Sequence, residues 1–473
     1  RLARSVNIRE RHDFSCAIFD GQGRLVANAP HIPVHLGAMG ETVRDLIGHL
    51  DSLPHGHAWV TNDPSAGGSH LPDLTVVTSV HAGTERWFVA CRGHHVDVGG
   101  LTPGSMPPSS RDLSDEGVVL RRVPLVDHQG WVDIREALRG CREMDTVLAD
   151  LEAQVAANAH AAAGLARLGP PSVVSAWMRH LHAVASEAVS EVIATLADGV
   201  ATDVIDGVPL RCQLRREGRR LQVDFTGSGP PHKGNLNAPT AVVRAAVLYA
   251  LRVLVKREIP LNDGALDPIE LVVPAPSIVA PPARAAVAGG NVETSQRLAD
   301  LVLRAAGARA GSQGTMNNLT IGGDTPEGAW SLYETIGGGL GASPTRDGAH
   351  GRQVHMTNTR ATDPEVLEAR LPLRVRRFAR RRGSGGRGRH TGGDGLVREL
   401  ELLASGEVCL LATRRRRGAA GVDGGDDGAP GEDSLGRGAT WTTWDGRPTT
   451  LDPGDRVRVA TPGGGGWGDD DES

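Results

Sequence analysis

The sequence predicts a mixed α and β chain, of the α+β class and built from several domains. Three changes of texture along its 473 residues predict this. Residues 1–130 alternate short apolar runs with Gly/Pro/His loops. Residues 131–205 are rich in Ala, Leu and Val at helical spacing, and from Leu371 onward Gly and Arg dominate between short strand-like runs. These textures divide the chain into a β-rich amino-terminal region (1–130), a helical segment (131–205) and an α/β region with polar glycine-rich loops (206–370). A Gly/Arg-rich β region (371–468) and an acidic tail (469–473) complete it.

Each element has its own reason. Leu36, Met39, Val43, Leu46, Ile47 and Leu50 recur every three or four positions, which predicts a helix over Leu36–Leu50. Ala58–Thr61, Leu74–Val80 and Trp87–Cys91 are short β-branched or aromatic runs and read as strands. Ile134–Leu168 and Ser172–Leu196 read as two long helices, parted by the breaker Gly169-Pro170-Pro171. Leu210–Leu214 and Leu221–Phe225 read as a hairpin turning at Glu217-Gly218. Ala238–Arg257 and Val292–Ala306 are further helices, and Val397–Leu403 and Val408–Leu411 further strands.

Composition excludes several classes of function. With 51 Lys and Arg against 56 Asp and Glu, the net charge of −5 gives no general attraction to nucleic acid or anionic lipid. The basic runs Ala379–His390 and Arg414–Arg417 contain no aromatic residue to stack a base and lie close to Asp423–Asp427, so they read as solvated faces. No apolar run approaches the ~20 residues of a membrane span, and no signal peptide is visible. The five cysteines are scattered without a CxxC pair, which argues against a disulfide framework or thiolate zinc site and suits a reducing cytoplasm. The 62 glycines and 3% aromatic content predict tight turns, backbone-lined loops and an aliphatic core. The chain opens at Arg1 without a Met, and reads as truncated within a segment already under way.

Chemistry-bearing residues concentrate in Gly67-Gly68-Ser69-His70-Leu71-Pro72-Asp73 and in Arg92-Gly93-His94-His95-Val96-Asp97. A hairpin centred on Gly83-Thr84 sets Asp73 beside His94 and Pro72 beside His95, so the two motifs converge. Two imidazoles and a carboxylate suit Mn²⁺, Fe²⁺ or Zn²⁺. Adjacent strand residues face opposite ways, so only one of His94 and His95 can share the ion; the other, with Asp97, is left to orient a ligand or move a proton. The plainer alternative is a hydrogen-bonded polar loop. Three polar, glycine-flanked stretches, Gly289–Arg297, Ser312–Asn318 and Tyr333–Gly339, together predict a lined cavity. The loop Val223–Pro239 reads as turn geometry, and no GxxxxGK[ST] phosphate loop occurs anywhere.

These motifs, with Asn7–Cys16, Ala29–Gly37, Gly104–Pro108, His355–Arg360 and Thr461–Gly468, resemble the hydantoinase B / 5-oxoprolinase family over almost the whole chain. The resemblance implies a HyuB-type subunit of an N-methylhydantoinase or 5-oxoprolinase, working with a HyuA-type ATPase as a separate chain or fused to it. ATP then belongs to that partner, and the assembly is a cytoplasmic hetero-oligomer. The related acetone and acetophenone carboxylases imply an alternative, an ATP-dependent carboxylase subunit. Resemblance to the carboxylase manganese site implies metal ligands His70, Asp73 and His95. His94 and Asp97 are then expected to move protons, and Asn291, Glu293, Gln296, Asn317 and Asn318 to hold a hydantoin or 5-oxoproline. Three departures stand out: a missing leading helix, Ser65 where the family usually has Tyr, and drift over Thr413–Gly418.

Overall fold

The structure, a computed structural model, describes residues 2–29, 32–326 and 328–469. Most of the expected acidic tail, and Pro30 and His31 of the Ala29–Gly37 motif, lie outside the described residues. By packing, the chain forms two compact units, one of Arg1–Gly199 with Leu210–Asn291, the other of Val200–Pro209 with Val292–Ser473. Both α and β elements fill each, as the mixed composition predicts.

The first unit is organised by a seven-stranded antiparallel sheet. Its strands are β1 (Phe14–Phe19), β2 (Leu25–Asn28), β3 (Ala58–Thr61), β4 (Asp73–Ala82), β5 (Glu85–His94), β6 (Val123–Asp127) and β7 (Gly130–Trp131), in the order β2-β1-β5-β4-β3-β6-β7. Both faces of the sheet are covered, so eight successive residues of β4 and eight of β5 are buried, polar Thr75, Thr78, Ser79 and Arg92 among them. Phe88, Ala90 and Val77 pack with Met39, Val43 and Leu46 of helix Leu36–His49. On the other face Val80, Trp87 and Val89 meet Leu165, Val174 and Met178, and Leu74 and Val76 meet Val147 and Leu151.

The two long helices are Met144–Ala166 and Pro171–Ile193, and the chain turns between them at Gly169, φ 140°, with Pro171 opening the second. The first begins ten residues later than its apolar pattern. Ile134 and Leu138 are buried, but as anchors of a turn that runs into Gly140, φ 112°, a conformation that ends regular helix. Its inner face carries amides. Gln154 Nε2 donates to the Leu74 and Cys91 carbonyls at 3.0 and 2.8 Å, and Asn158 Nδ2 to Val76 O at 3.0 Å. The hairpin Val208–Glu217 and Arg220–Asp224 turns at Glu217-Gly218 as expected, and helix Thr240–Leu254 follows Pro239.

The second unit holds two antiparallel sheets. One has Gly328–Thr335, Asn318–Thr325, Gly406–Leu411 and Thr449–Leu451 in that spatial order. The other has Leu373–Arg381, Gly395–Leu402, Arg456–Ala460, Glu432–Arg437 and Thr440–Thr443. One aliphatic cluster serves both, with Leu319, Ile321, Leu400, Leu402, Val408 and Val457 buried. Helix Ser295–Ala305 is entered through a wide turn at Gly290–Thr294. The glycine surplus has a structural use here. Backbones of several loops stack directly: Gly464 N donates to Gly393 O, Gly386 N to Gly464 O, and a Cβ on Gly464 would lie 2.3 Å from Leu340 O. The run Arg414–Arg417 is not a wholly solvated face. Arg414 is buried because Asp203 accepts from it, and Arg415 is held by Asp433 and Asn317; Arg416 and Arg417 are exposed.

Candidate functional site

The His-x-x-Asp turn is held from several sides. Gly67 has φ 86°, and a Cβ there would lie 2.3 Å from Thr42 N, so only glycine fits. Asn62 Nδ2 donates to Leu71 O at 2.8 Å while its Oδ1 accepts from Leu120 N at 2.7 Å. Arg92, fully buried, reaches back from β5 and donates to Gly67 O at 2.9 Å and Thr42 Oγ1 at 3.1 Å. Burial pushes this guanidinium down to about 10. Leu71, wholly buried between His70 and Pro72, pins the turn into the core. The Asp73 amide closes the turn on His70 O at 3.1 Å.

β4 and β5 pair with Asp73 opposite His94 and Ala82 opposite Glu85, the register expected from a turn at Gly83-Thr84. The ligand atoms of His70, Asp73 and His94 lie within 4.8 Å of one another, and all three residues are buried. The His70 and His94 rings have centroids 5.0 Å apart. Asp73 Oδ2 lies 3.0 Å from His70 Nδ1 and 3.2 Å from His35 Nε2, and accepts from Ser69 Oγ. That contact fixes the His70 ring through Nδ1 and leaves Nε2 turned away from Asp73. His70 Nε2 and Asp73 Oδ1 have no hydrogen-bond partner among the described residues. Burial by itself would raise the Asp73 carboxyl; His70 and His35 beside it hold it well below the usual carboxylate range. Burial, then the neighbouring His70, holds His94 well below the usual imidazole value, so it stays neutral. Two imidazoles and a carboxylate, with one open nitrogen and one open oxygen, fit a divalent cation of the Mn, Zn or Fe kind.

His95 is placed elsewhere. Its amide donates to Pro72 O at 2.8 Å, as the hairpin register expects, but its ring turns to the far side, with Nε2 2.9 Å from Gln154 Oε1. Its Nδ1 has no partner among the described residues, and burial lowers its pKa. Asp97 stands outside the group as well. Its Oδ1 accepts from Gly99 N and Arg142 N, its Oδ2 from Gly104 N and Arg142 Nη1, so it organises the loop after β5. Asn291 does reach the group, its side-chain amide 3.1 Å from His70 Nδ1.

In the second unit, Glu293 and Asn317 are tied into the fold. Glu293 accepts from Met316 N, Thr413 N and Thr413 Oγ1, and burial raises its pKa. Asn317 donates to Gln313 Oε1 and Ile336 O and accepts from Arg415. Gln296 and Asn318 keep open atoms: Gln296 Oε1 and both side-chain polar atoms of Asn318 lack partners among the described residues.

Sequence reading missed three contributors to the His70 group. His35 and Ser69 hold Asp73, and Asp13, whose carboxyl is raised by burial, feels the charges of Asp73, His35 and His70. His35 and Asp13 had a signal, since both lie in the motifs carrying the family resemblance. Only β1 pairing with β5 and the short turn Pro33–His35 bring them in.

The chain matches the hydantoinase B/oxoprolinase profile over residues 1–470. It belongs to the hydantoinase B/oxoprolinase family. It is 44% identical over 508 residues to 5-oxoprolinase 1 of Arabidopsis thaliana, a match covering 99% of this chain and 40% of that protein. An uncharacterised protein of Methanocaldococcus jannaschii is 33% identical over 490 residues, with 98% of this chain and 86% of that one covered. This hydantoinase B/oxoprolinase chain thus spans about two fifths of the length of the plant 5-oxoprolinase. Its fold is similar to that of the ATP-dependent caprolactamase of Pseudomonas jessenii, with a TM-score of 0.85 at 23% identity, covering 97% of this chain and 85% of that one. Acetone carboxylase shares the fold too, at a TM-score of 0.87 and 16% identity, covering 99% and 72%. Among the described residues no helix is long and apolar enough to cross a membrane.

Proposed function

We propose that this chain is the ring-opening component of an ATP-dependent cyclic-amide hydrolase. Its substrate is a hydantoin or 5-oxoproline whose amide oxygen has been phosphorylated by a HyuA-type ATPase. That ATPase is either a separate chain in a hetero-oligomer or a further part of a longer polypeptide. The observation that carries the proposal is the buried His70–Asp73–His94 group with its open nitrogen and open oxygen, in a chain whose sequence has no phosphate loop. Family membership supports the substrate class, because the plant relative is named a 5-oxoprolinase.

His70 and Asp73 would hold the ion, with His94 as the third group the fold brings to it. When bound, a divalent cation polarises the carbon under attack and makes water a better nucleophile near neutral pH. The protein's own part is orientation. Asp73 Oδ2 fixes the His70 ring, and Ser69 and His35 fix Asp73. His94, neutral in its buried setting, keeps a lone pair to offer the ion. Asn291 stands close enough to His70 to orient a bound amide. Asp97 keeps the loop after β5 in place, and His95 buttresses the hairpin against Gln154. In the second unit Gln296 and Asn318 keep unsatisfied side-chain amide atoms, while Glu293 and Asn317 are tied into the fold.

Elemental analysis of the wild type beside His70→Ala tests the reading, together with ATP-dependent turnover of hydantoin and 5-oxoproline once the ATPase component is added. About one equivalent of metal, lost with turnover in a folded variant, is expected. Full turnover by folded His70→Ala would refute the assignment. A bicarbonate requirement for ATP consumption would move the chain to the carboxylase chemistry instead.

A further inference from the structure

Two of the five free cysteines stand opposite each other on neighbouring strands of the first unit. Cys16 of β1 pairs with Cys91 of β5, and their sulfurs lie 3.6 Å apart. We propose that this pair is a hydroperoxide-sensitive dithiol, which oxidation closes into a reversible Cys16–Cys91 disulfide. The proposal goes beyond the ring-opening reading and does not rest on it, since neither sulfur belongs to the His70 group.

The backbone sets the spacing. His94 N donates to Asp13 O at 3.0 Å, so these two residues form a hydrogen-bonded pair at one end of the β1–β5 ladder. Such pairs alternate with non-hydrogen-bonded ones in an antiparallel ladder. The register runs on through Phe14–Gly93 and Ser15–Arg92 to Cys16–Cys91, which makes the cysteines a non-hydrogen-bonded pair. The Cys16 carbonyl agrees, since it turns to the other neighbouring strand and accepts from Ala29 N at 3.1 Å. Partners of this kind stand with Cα atoms about 4.5 Å apart and side chains close together on one face. That spacing falls within the roughly 4.4–6.8 Å a disulfide spans. Closing the gap from 3.6 Å to a bond of about 2.0 Å is therefore a matter of turning side chains about Cα–Cβ, with the strands left in register.

Exposure gives the two sulfurs different parts. Cys16 is partly exposed and Cys91 is buried, so a small oxidant meets Cys16 first. The hydrogen bond with Cys91 also lowers the Cys16 thiol, which favours the thiolate, the form that attacks. In the first step the Cys16 thiolate attacks one peroxide oxygen. An S–O bond forms, the O–O bond breaks, and the departing hydroxide takes up a proton to become water. In the second step the Cys91 sulfur attacks the Cys16 sulfenic sulfur. An S–S bond forms, the S–O bond breaks, and the hydroxyl leaves as water with the proton from Cys91. The two sulfurs together give two electrons to the peroxide, and a dithiol returns them by exchange. Holding a metal ion is the other use open to two thiols. Among the described residues the three-donor group inside 4.8 Å is His70, Asp73 and His94, so the cysteines lack the further donors that a thiolate zinc site takes.

Hydrogen peroxide in small excess, added to the full reduced chain with a chelator present to exclude metal-driven oxidation, tests the proposal. Free thiols counted in denaturant should fall by two from the starting five, without a change in oligomeric mass, and dithiothreitol should restore them. Peptide mapping without reductant should recover the Cys16 and Cys91 peptides joined. In Cys91→Ser the same treatment should leave a Cys16 sulfenic acid that dimedone traps, because the resolving sulfur is gone. In Cys16→Ser, changed at the partly exposed position, Cys91 should stay reduced over the time in which the wild type is fully oxidised. Circular dichroism checks that both variants fold. Cys141 is the internal rival, partly exposed as well but with its thiol pushed up to about 11 by burial. Oxidation of Cys141 ahead of Cys16 would overturn the proposal. So would a folded, peroxide-treated chain in which Cys16 and Cys91 both still alkylate, a Cys16 bridge between two chains, or Cys91 oxidised at the wild-type rate in Cys16→Ser.

Discussion

Replacing His94 and His95 one at a time separates two adjacent imidazoles that the fold treats differently. His94 lies with His70 and Asp73 inside 4.8 Å, whereas His95 faces Gln154 on the opposite side of the strand end. His94→Ala deletes one of three candidate ligand atoms. The loss in metal affinity should exceed the ~10–100-fold that removing an outer-shell partner costs. His95→Ala deletes no member of the group but leaves Gln154 Oε1 buried without its partner, at a cost of about 1–3 kcal/mol in folding stability. The two variants should therefore fail in opposite assays. Metal content after dialysis against a weak chelator should collapse in His94→Ala, with a urea midpoint near that of the wild type when both are metal-free. His95→Ala should keep its metal and unfold earlier. The reverse pattern, metal lost from folded His95→Ala and retained in His94→Ala, would refute the geometric reasoning and restore the ligand set that family resemblance implies.

Other perturbations test the packing around the candidate sites. Asp203 accepts from Arg297 Nη1 at 3.1 Å and Arg414 Nη2 at 2.7 Å, with both cations almost fully buried. Asp203→Asn should cost about 3–5 kcal/mol in urea unfolding, because two buried guanidinium groups lose their counter-charge; a loss below about 1 kcal/mol would contradict this. Burial raises the Asp203 pKa, but Arg297 and Arg414 outweigh it and hold the carboxyl far below 3.8, so its contribution is present above that value and is lost as the pH falls through the folded pKa. Glu116 runs the other way. Burial pushes it to about 7 despite the donors Ala288 N, Val287 N and Ser110 Oγ, so its contribution is complete below 4.5 and disappears as the pH rises through about 7. Stability measured across that window should fall by about 3 kcal/mol, and Glu116→Gln should flatten the slope. Cys16 and Cys91 face each other across β1 and β5 with sulfurs 3.6 Å apart. The hydrogen bond with Cys91 lowers the Cys16 thiol, whereas that bond with Cys16 raises Cys91 and burial raises Cys212 to about 12. Maleimide labelling followed by mass spectrometry should therefore modify Cys16 first and more slowly in Cys91→Ala, and equal rates in the two proteins would remove the basis for the shift.

Local physics made much of this protein legible before folding. The helix over Leu36–His49 follows from apolar residues at three- and four-residue intervals, and the break at Gly169-Pro170-Pro171 from what those residues do to a helix. The pairing of Asp73 with His94 follows from a tight turn and a side-chain period of two. Family membership was legible as well, because long motifs survive as linear strings. Other features depended on chain segments far apart in sequence. Ile134–Cys141 carries an apolar pattern, yet it packs as a turn under the sheet because tertiary contact overrides a weak helical preference. The apparently solvated Arg414 is buried because Asp203, over two hundred residues earlier, supplies a counter-charge. His35 and Asp13 enter the His70 group only through strand pairing and a short turn. The choice between His94 and His95 rests on which face of the strand end each ring takes, and helix Met144–Ala166 settles that face for His95 by presenting Gln154. Sequence alone determines which residues can bind, turn or pair. Which of them meet in one buried space is decided by long-range packing, since burial and counter-charge are properties of the neighbours that folding brings.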